Sequence, residues 1–343
     1  MPIALRPVCW LFALALLGGC AVAPSLATLD GRTMGTTWRV TLAVPPGTSV
    51  ESLQSGVQGE LDRVVAQMSH WDADSDLGRF NRAAAGTWQE LPPEFFSVLQ
   101  QALALAADTG GAFDPTIGPS VNAWGFGPAG RRTAAPAEAE IEAARARVGW
   151  RRLDLDPVRR RVLQPGGVEL DLSGIAKGFA TDQVSRYLDR VGVEAYLVEI
   201  SGELRAHGRR PDGGPWRVAI EKPGAAAGEV TSLGEVERVV VLDDEAIATS
   251  GDYRHFFADD GQVYSHHIDP RTGRPVAHRI ASVTTIAHDT ATADSAGTAI
   301  MVLGPERGLE WAGERGLAVL LIMHEGDRLD ERMSPAFAAR VVP

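Results

Sequence analysis

The chain has 343 residues, 45% hydrophobic and 22% charged, a globular composition that excludes disorder over most of its length and suffices for one large core or two smaller ones. Its 44 acidic and 33 basic side chains leave a formal net charge of -11, so no long-range field favours DNA or RNA, and nucleic acid is excluded as a partner. An anionic small molecule would have to be held by local devices: backbone amides, a few placed cations or a bound metal.

Arg6 precedes an apolar run from Val8 to Leu17 that ends in Leu17-Gly18-Gly19-Cys20. The run is short for a membrane span, and small residues before a cysteine are what a lipoprotein signal peptidase needs. Residues 1–19 therefore read as a lipoprotein signal peptide, and Cys20 as the lipidated residue. The other cysteine, Cys9, leaves with the signal, so no intramolecular disulfide is expected. Residues 20–30 read as a lipid-anchored tether and 31–343 as the globular domain, held on the periplasmic side of a bacterial membrane. The inner membrane is the expectation, although Ala21 after the cysteine, rather than an aspartate, leaves the outer one open.

Strand-like runs rich in β-branched residues are predicted at Trp38–Val44, Ala195–Ile200, Trp216–Ile220, Val236–Leu242, Ala281–Ile286 and Leu317–Met323. Helical spacing appears in Leu53, Val57, Leu61, Val64, Val65 and Met68, again from Pro92 to Ala107 ahead of Gly110-Gly111, and from Ala137 to Val148. The fold class is α+β, with mixed, largely antiparallel sheets packed against helices. Turn chemistry at Pro128–Pro136, Gly208–Pro215 and Pro223–Gly228 reads as surface loops.

Four segments hold residues that packing alone does not explain. The first runs from Gly110 through Ala112-Phe113-Asp114-Pro115 to Trp124-Gly125-Phe126; its glycines admit a close ligand, and its aromatics would either sandwich a flat ring or plug the core. Gly125-x-Gly127-x-x-Gly130 has dinucleotide spacing, but no strand leads into it and Pro128 interrupts it, so a Rossmann motif is rejected. The second, Glu169 to Asp182, passes through Asp171-Leu172-Ser173-Gly174 into a helix with Lys177 in its first turn. That start suits an anion, and a lysine opposing the helix dipole implies a partner from elsewhere, while Asp171 reads equally as a plain cap. In the third, His266 and His267 precede Asp269-Pro270; as neighbours on a strand they would point to opposite faces, one toward a pocket as an acid/base candidate. In the fourth, Asp294 and Thr298 share a helix face and offer two hard oxygens for Mg²⁺, or else form a cap and a back-bonded hydroxyl.

Together these segments resemble the FAD:protein FMN transferase family, also called the ApbE family, over Met34 to Leu321. The supporting motifs are Met34-Gly35-Thr36, Met68-Ser69-His70-Trp71 leading to Asp76–Asn81, Gly111 to Thr116 through Trp124-Gly125-Phe126, Asp171 to Gly178, Ala248 to Asp252, His266 to Gly273 and Asp294 to Thr298. The resemblance implies FAD contacts at Met34, Trp71, Ala112, Phe113, Asp114, Asp171, Lys177 and Ile268, and a magnesium held by Gly174, Asp294 and Thr298. It makes His266 the acid/base residue and Lys177 a charge-compensating one. The implied reaction moves the FMN half of FAD onto a threonine or serine of an acceptor, as a phosphoester, with release of AMP. Implied acceptors are exported or membrane-bound electron-transfer subunits with a short Ser/Thr motif. Trp71 stands where a tyrosine is more common, His267 where a hydrophobic residue is usual, and Gly297 where some relatives carry an acid. A metal-dependent FAD pyrophosphatase and a non-catalytic flavin-binding lipoprotein are the rival readings.

Overall fold

Every strand ladder among the described residues of the computed structural model is antiparallel. The structure describes residues 26–223, 236–252, 256–326 and 328–342. The signal peptide, Cys20 and residues 224–228 of the predicted loop after Pro223 lie outside them. The main sheet has eight strands in the order Leu26–Thr33, Thr36–Ala43, Tyr196–Ile200, Glu203–His207, Ala246–Gly251, Ile280–Ala287, Ala318–Glu325 and Arg328–Met333.

Helices cover one face of this sheet and the hairpin of Trp216–Glu221 with Val236–Leu242 covers the other. The strand Ala318–Glu325 shows why the sequence there is an unbroken apolar run. Alternate residues point to opposite faces of a strand. Ala318, Leu320 and Ile322 pack with Trp216, Val218 and Ile220 of the hairpin, whereas Val319, Leu321 and Met323 pack with Ile300 and Met301 of a helix. Both faces are buried, so neither can be polar.

The predicted helices form where their apolar spacing places them, at Val50–Met68, Pro93–Asp108 and Glu138–Arg145. In the first, the Ser49 hydroxyl accepts the Ser52 amide as a cap, and Leu53, Val57, Leu61, Val64 and Met68 are buried at the expected spacing. One expectation fails: the tether does not extend to residue 30. Leu26–Thr33 is a strand paired along its length with Thr36–Ala43, and Leu29 lies in the core. Only one side chain before Thr33 is buried, so this edge strand had no alternating pattern to reveal it. No described helix is long and apolar enough to cross a membrane.

Register decides which turns share an edge. Trp38 lies opposite Ile200, Ile247 opposite Leu204, Gly251 opposite Ser282 and Ile280 opposite Met323. The turns Met34-Gly35 and Ser201-Gly202, the start of the strand at Glu203 and the end of the strand at Gly251 therefore collect at one end of the sheet. Both two-residue turns have positive φ at both positions, 49° and 74° in the first and 55° and 98° in the second, the signature of type I′ hairpins.

Candidate active site

Two helices, Ala176–Arg190 and Thr290–Leu303, are joined at their N-terminal ends by reciprocal hydrogen bonds. The Gly178 amide donates to Asp294 Oδ2 at 2.9 Å, and the Thr290 and Ala291 amides donate to the Asp182 carboxylate at 2.9 and 3.0 Å. All three amides belong to first turns, which have no partner within their own helix. Each helix thus satisfies the other's orphan donors. Gly178 is required by this approach: a Cβ there would stand 2.3 Å from the Thr290 carbonyl oxygen. Asp294 does not cap its own helix, because Asp289 does so by accepting the Thr292 amide.

Asp294 is 3% exposed. Burial pushes its pKa up, while the Lys177 charge and the Gly178 N–H act in the opposite direction. One turn along the helix, the Thr298 hydroxyl meets the backbone of Gly174: a Cβ on that glycine would stand 3.0 Å from Thr298 Oγ1 and 3.2 Å from a ring carbon of Phe113. A carboxylate and a hydroxyl one turn apart on one helix thus lie by the Gly174 backbone, hard oxygen donors of the kind a divalent cation takes beside phosphate or water. No cluster of three or more His, Cys, Asp or Glu exists among the described residues to hold a metal by itself. Lys177 forms an ion pair with Glu203, the partner its position implied, and Glu203 is 2% exposed.

Three residues upstream of Gly174 the environment opens. A cavity of about 310 Å³ is lined by His70, Trp71, Asn81, Asn122, Glu169 and Asp171, among others. Trp71 is 63% exposed, with its ring centroid 5.3 Å from that of His70. His70 Nδ1 lies 3.6 Å from Asp171 Oδ1 and 3.5 Å from Ser173 Oγ. Asp171 does not cap the helix; its Oδ1 accepts the Ser173 amide at 2.8 Å, a local Asx turn that shapes the approach to Gly174. Asn81 fixes the preceding residue, donating to the Leu170 carbonyl and accepting from its amide at 2.9 and 2.7 Å.

In the glycine-rich segment, Ala112 and Phe113 are buried. Asp114 is committed to its own loop: one oxygen accepts from the amide and hydroxyl of Thr116 and the other from the Trp150 amide. Burial still raises its pKa. Asp114 nevertheless lines a second cavity of about 200 Å³, together with Gly110, Gly111, Trp150 and Arg151. Trp124 proves to be a core plug, 3% exposed, with its indole N–H on the Gly273 carbonyl at 2.7 Å and its ring 5.1 Å from Tyr264. Ile268 packs in the same cluster.

The two histidines depart from expectation. Their ring centroids are 4.0 Å apart, on the same side of the chain. The strand ends at Ser265 and the chain bends there, so strand alternation no longer applies. His266 is half-buried, edge-on to Phe126 at 6.3 Å, and His267 is buried.

The fold thus brings Gly174, Lys177, Asp294, Thr298 and Phe113 together, with Asp171 and Trp71 joined to them through Leu172 and Ser173. Met34 stands at the sheet end where Glu203 starts its strand, packed against the main core, in the left-handed region unusual for a methionine. His266 and Ile268 lie in the Trp124 cluster. Glu203 and Asp182 were not found by sequence reasoning; Asp182 is followed by Gln183 and Glu203 by Leu204-Arg205, mixed surroundings that give no sign of burial. His70 offered a weaker signal, a histidine beside the predicted ring-contacting Trp71.

Residues 34–321 match the ApbE family. A curated "FAD:protein FMN transferase" of Vibrio cholerae is 41% identical over 96% of this chain and 97% of its own length, and one of Escherichia coli K12 is 36% identical over 93% and 90%. Among solved structures, the apo flavinyl transferase ApbE of Pseudomonas stutzeri superposes with a TM-score of 0.84 at 39% identity, covering 92% of this chain and 97% of that one. An ApbE protein of Thermotoga maritima gives 0.82 at 29% identity, covering 93% and 100%.

Proposed function

Because this chain belongs to the ApbE family, we propose that it joins the FMN half of FAD to a threonine or serine hydroxyl of an acceptor protein, with Mg²⁺ as the cation and AMP as the leaving group. Flavin transfer is its activity, FAD its flavin substrate and a protein its acceptor. The observation that supports the finer reading best is the meeting of Asp294, Thr298 and the Gly174 backbone beside Lys177 at a helix start. Phosphoryl-type transfer depends on positioning and charge neutralisation more than on covalent work by the enzyme, and the site is built for both.

Gly174, Asp294 and Thr298 would hold the divalent cation, which when bound supplies charge neutralisation on the pyrophosphate. Lys177 adds a positive charge at the same place, held by Glu203 rather than left to swing. The open cavity beside Trp71 and Asp171 receives part of the dinucleotide, with the exposed indole as a stacking surface. The acceptor hydroxyl oxygen forms its bond to the phosphorus on the FMN side, the bond from that phosphorus to the bridging oxygen breaks, and AMP departs with the bridging oxygen. His266 takes the hydroxyl proton. Cys20 would anchor the chain by lipid to the periplasmic side of a bacterial membrane, within reach of exported or membrane-bound electron-transfer subunits.

The test is to incubate the full-length protein with FAD, Mg²⁺ and a protein bearing a threonine motif, then weigh the acceptor by intact mass spectrometry. A gain of one FMN that EDTA abolishes is the expected result. AMP release without a mass gain would instead make the protein a pyrophosphatase, and FAD binding without either product would make it a carrier.

A further inference from the structure

Lys177 is paired with one carboxylate that water scarcely reaches and is next in sequence to a glycine whose amide holds a second. The first is Glu203, 2% exposed, which is paired with its ammonium. The second is Asp294, 3% exposed and bonded to the amide of Gly178. We propose that Glu203 is a positioning residue for the cation site: it draws the Lys177 ammonium away from Asp294 and so keeps the Asp294 carboxylate available to a divalent cation. The inference rests on reading Gly174, Asp294 and Thr298 as that cation's ligands.

The placement of Glu203 is rigid. It opens a strand straight after the Ser201-Gly202 turn, with Leu204 and Arg205 of that strand paired to Ile247 and Ala246. A carboxylate this buried persists as an anion only beside a cation, and Lys177 is that cation. Two carboxylates thus share one ammonium, which leaves one carboxylate of the trio for a divalent cation to neutralise. Remove the Glu203 charge and the trio becomes neutral, because the ammonium then compensates Asp294 instead. Lys177 already acts electrostatically on Asp294 at its present position. Glu203 thus has a task distinct from that of an ion pair such as Arg190 with Glu60, which joins two helices far from any ligand group.

The measurement is Mn²⁺ binding to the full-length protein without FAD, followed by electron paramagnetic resonance at neutral pH. Glu203→Gln should weaken binding by about tenfold or more, the scale of one unit charge at short range in a partly buried site. Glu203→Gln combined with Lys177→Met should recover to within about threefold of the unaltered protein, since neutralising both members of the pair restores the single negative charge. A merely structural Glu203 would leave the double variant no better than the single one, and that result overturns the proposal, as does Glu203→Gln binding Mn²⁺ normally. If Glu203→Gln does not fold, Lys177→Met alone decides: it should bind at least as tightly as the unaltered protein, and a tenfold loss would overturn the idea. Absence of Mn²⁺ binding by the unaltered protein, or undiminished binding by Asp294→Asn, overturns the cation reading itself, and neither sample involves Glu203.

Discussion

The two ends of this site are built in opposite ways. Around Lys177 and Asp294, helix starts separated by more than a hundred residues close on one another through carboxylate–amide bonds, and the carboxylates Asp294, Asp182 and Glu203 are almost wholly buried. Around Trp71 the indole stands largely in solvent over an open cavity, steadied by a histidine and short local turns. The difference follows the chemistry. Charge that develops on transferring phosphate is best met by groups fixed in advance away from water, whereas a large ring needs a surface that admits it and lets it leave.

That contrast predicts that substitutions at the buried end cost folding or chemistry, and those at the open end cost only binding. The largest effect is expected from Gly178→Ala, whose Cβ would meet the Thr290 carbonyl oxygen at 2.3 Å. Backbone cannot yield as a flexible side chain can, so thermal or urea unfolding should show a loss of about 3 kcal/mol or more. A stable Gly178→Ala would mean that the two helices are not rigidly joined.

Next comes Asp294→Asn, which keeps an oxygen for the Gly178 amide and removes the charge. Flavin transfer should fall about a hundredfold or more, while the melting temperature holds or rises because a buried carboxylate has been neutralised. A parallel fall in stability would show that Asp294 is structural.

Asp182→Asn leaves a single side-chain oxygen for the Thr290 and Ala291 amides, and should cost about 1 kcal/mol near pH 5. Burial raises the folded-state pKa of Asp182 above its unfolded value, so between the two values the unfolded chain binds fewer protons. Wild-type stability from this group is greatest below that window and declines as pH rises through it. The gap between wild type and Asp182→Asn in urea unfolding should therefore narrow as pH increases, and a widening gap would contradict the assigned environment.

The smallest effect belongs to Trp71→Ala. With 63% of its surface exposed, its loss should leave the melting temperature unchanged and raise KM for FAD several-fold with little change in kcat, the mark of a binding contact. A large fall in kcat would place Trp71 with the buried end instead.

Much of this was legible from residue order. The helix at Val50–Met68 follows from its apolar spacing and Ser49, and the buried central strands from runs such as Val319 to Met323. Glycine next to serine before Lys177, and a carboxylate four residues ahead of a hydroxyl, marked both sides of the candidate cation site because those patterns are local. The strand at Leu26–Thr33 was not legible, since its pairing with Thr36–Ala43 is what orders it, and the two histidines were misjudged because a bend after Ser265 ended the strand on which their opposition depended.

The sequence by itself determined the main helices, six of the strands, the family and the residue kinds at the site, because helix and strand periods, caps and short motifs are properties of neighbouring residues, whereas Glu203–His207, Ala246–Gly251 and Arg328–Met333 became strands through their pairing. Only the tertiary structure decided that Glu203 would meet Lys177, that Asp182 and Asp294 would each hold the other helix's start, and that Asp114 would serve its own loop. Each of these pairings depends on which buried donor lies beside a given acid once the layers have packed, and burial leaves every polar group obliged to find a partner that residue order does not name.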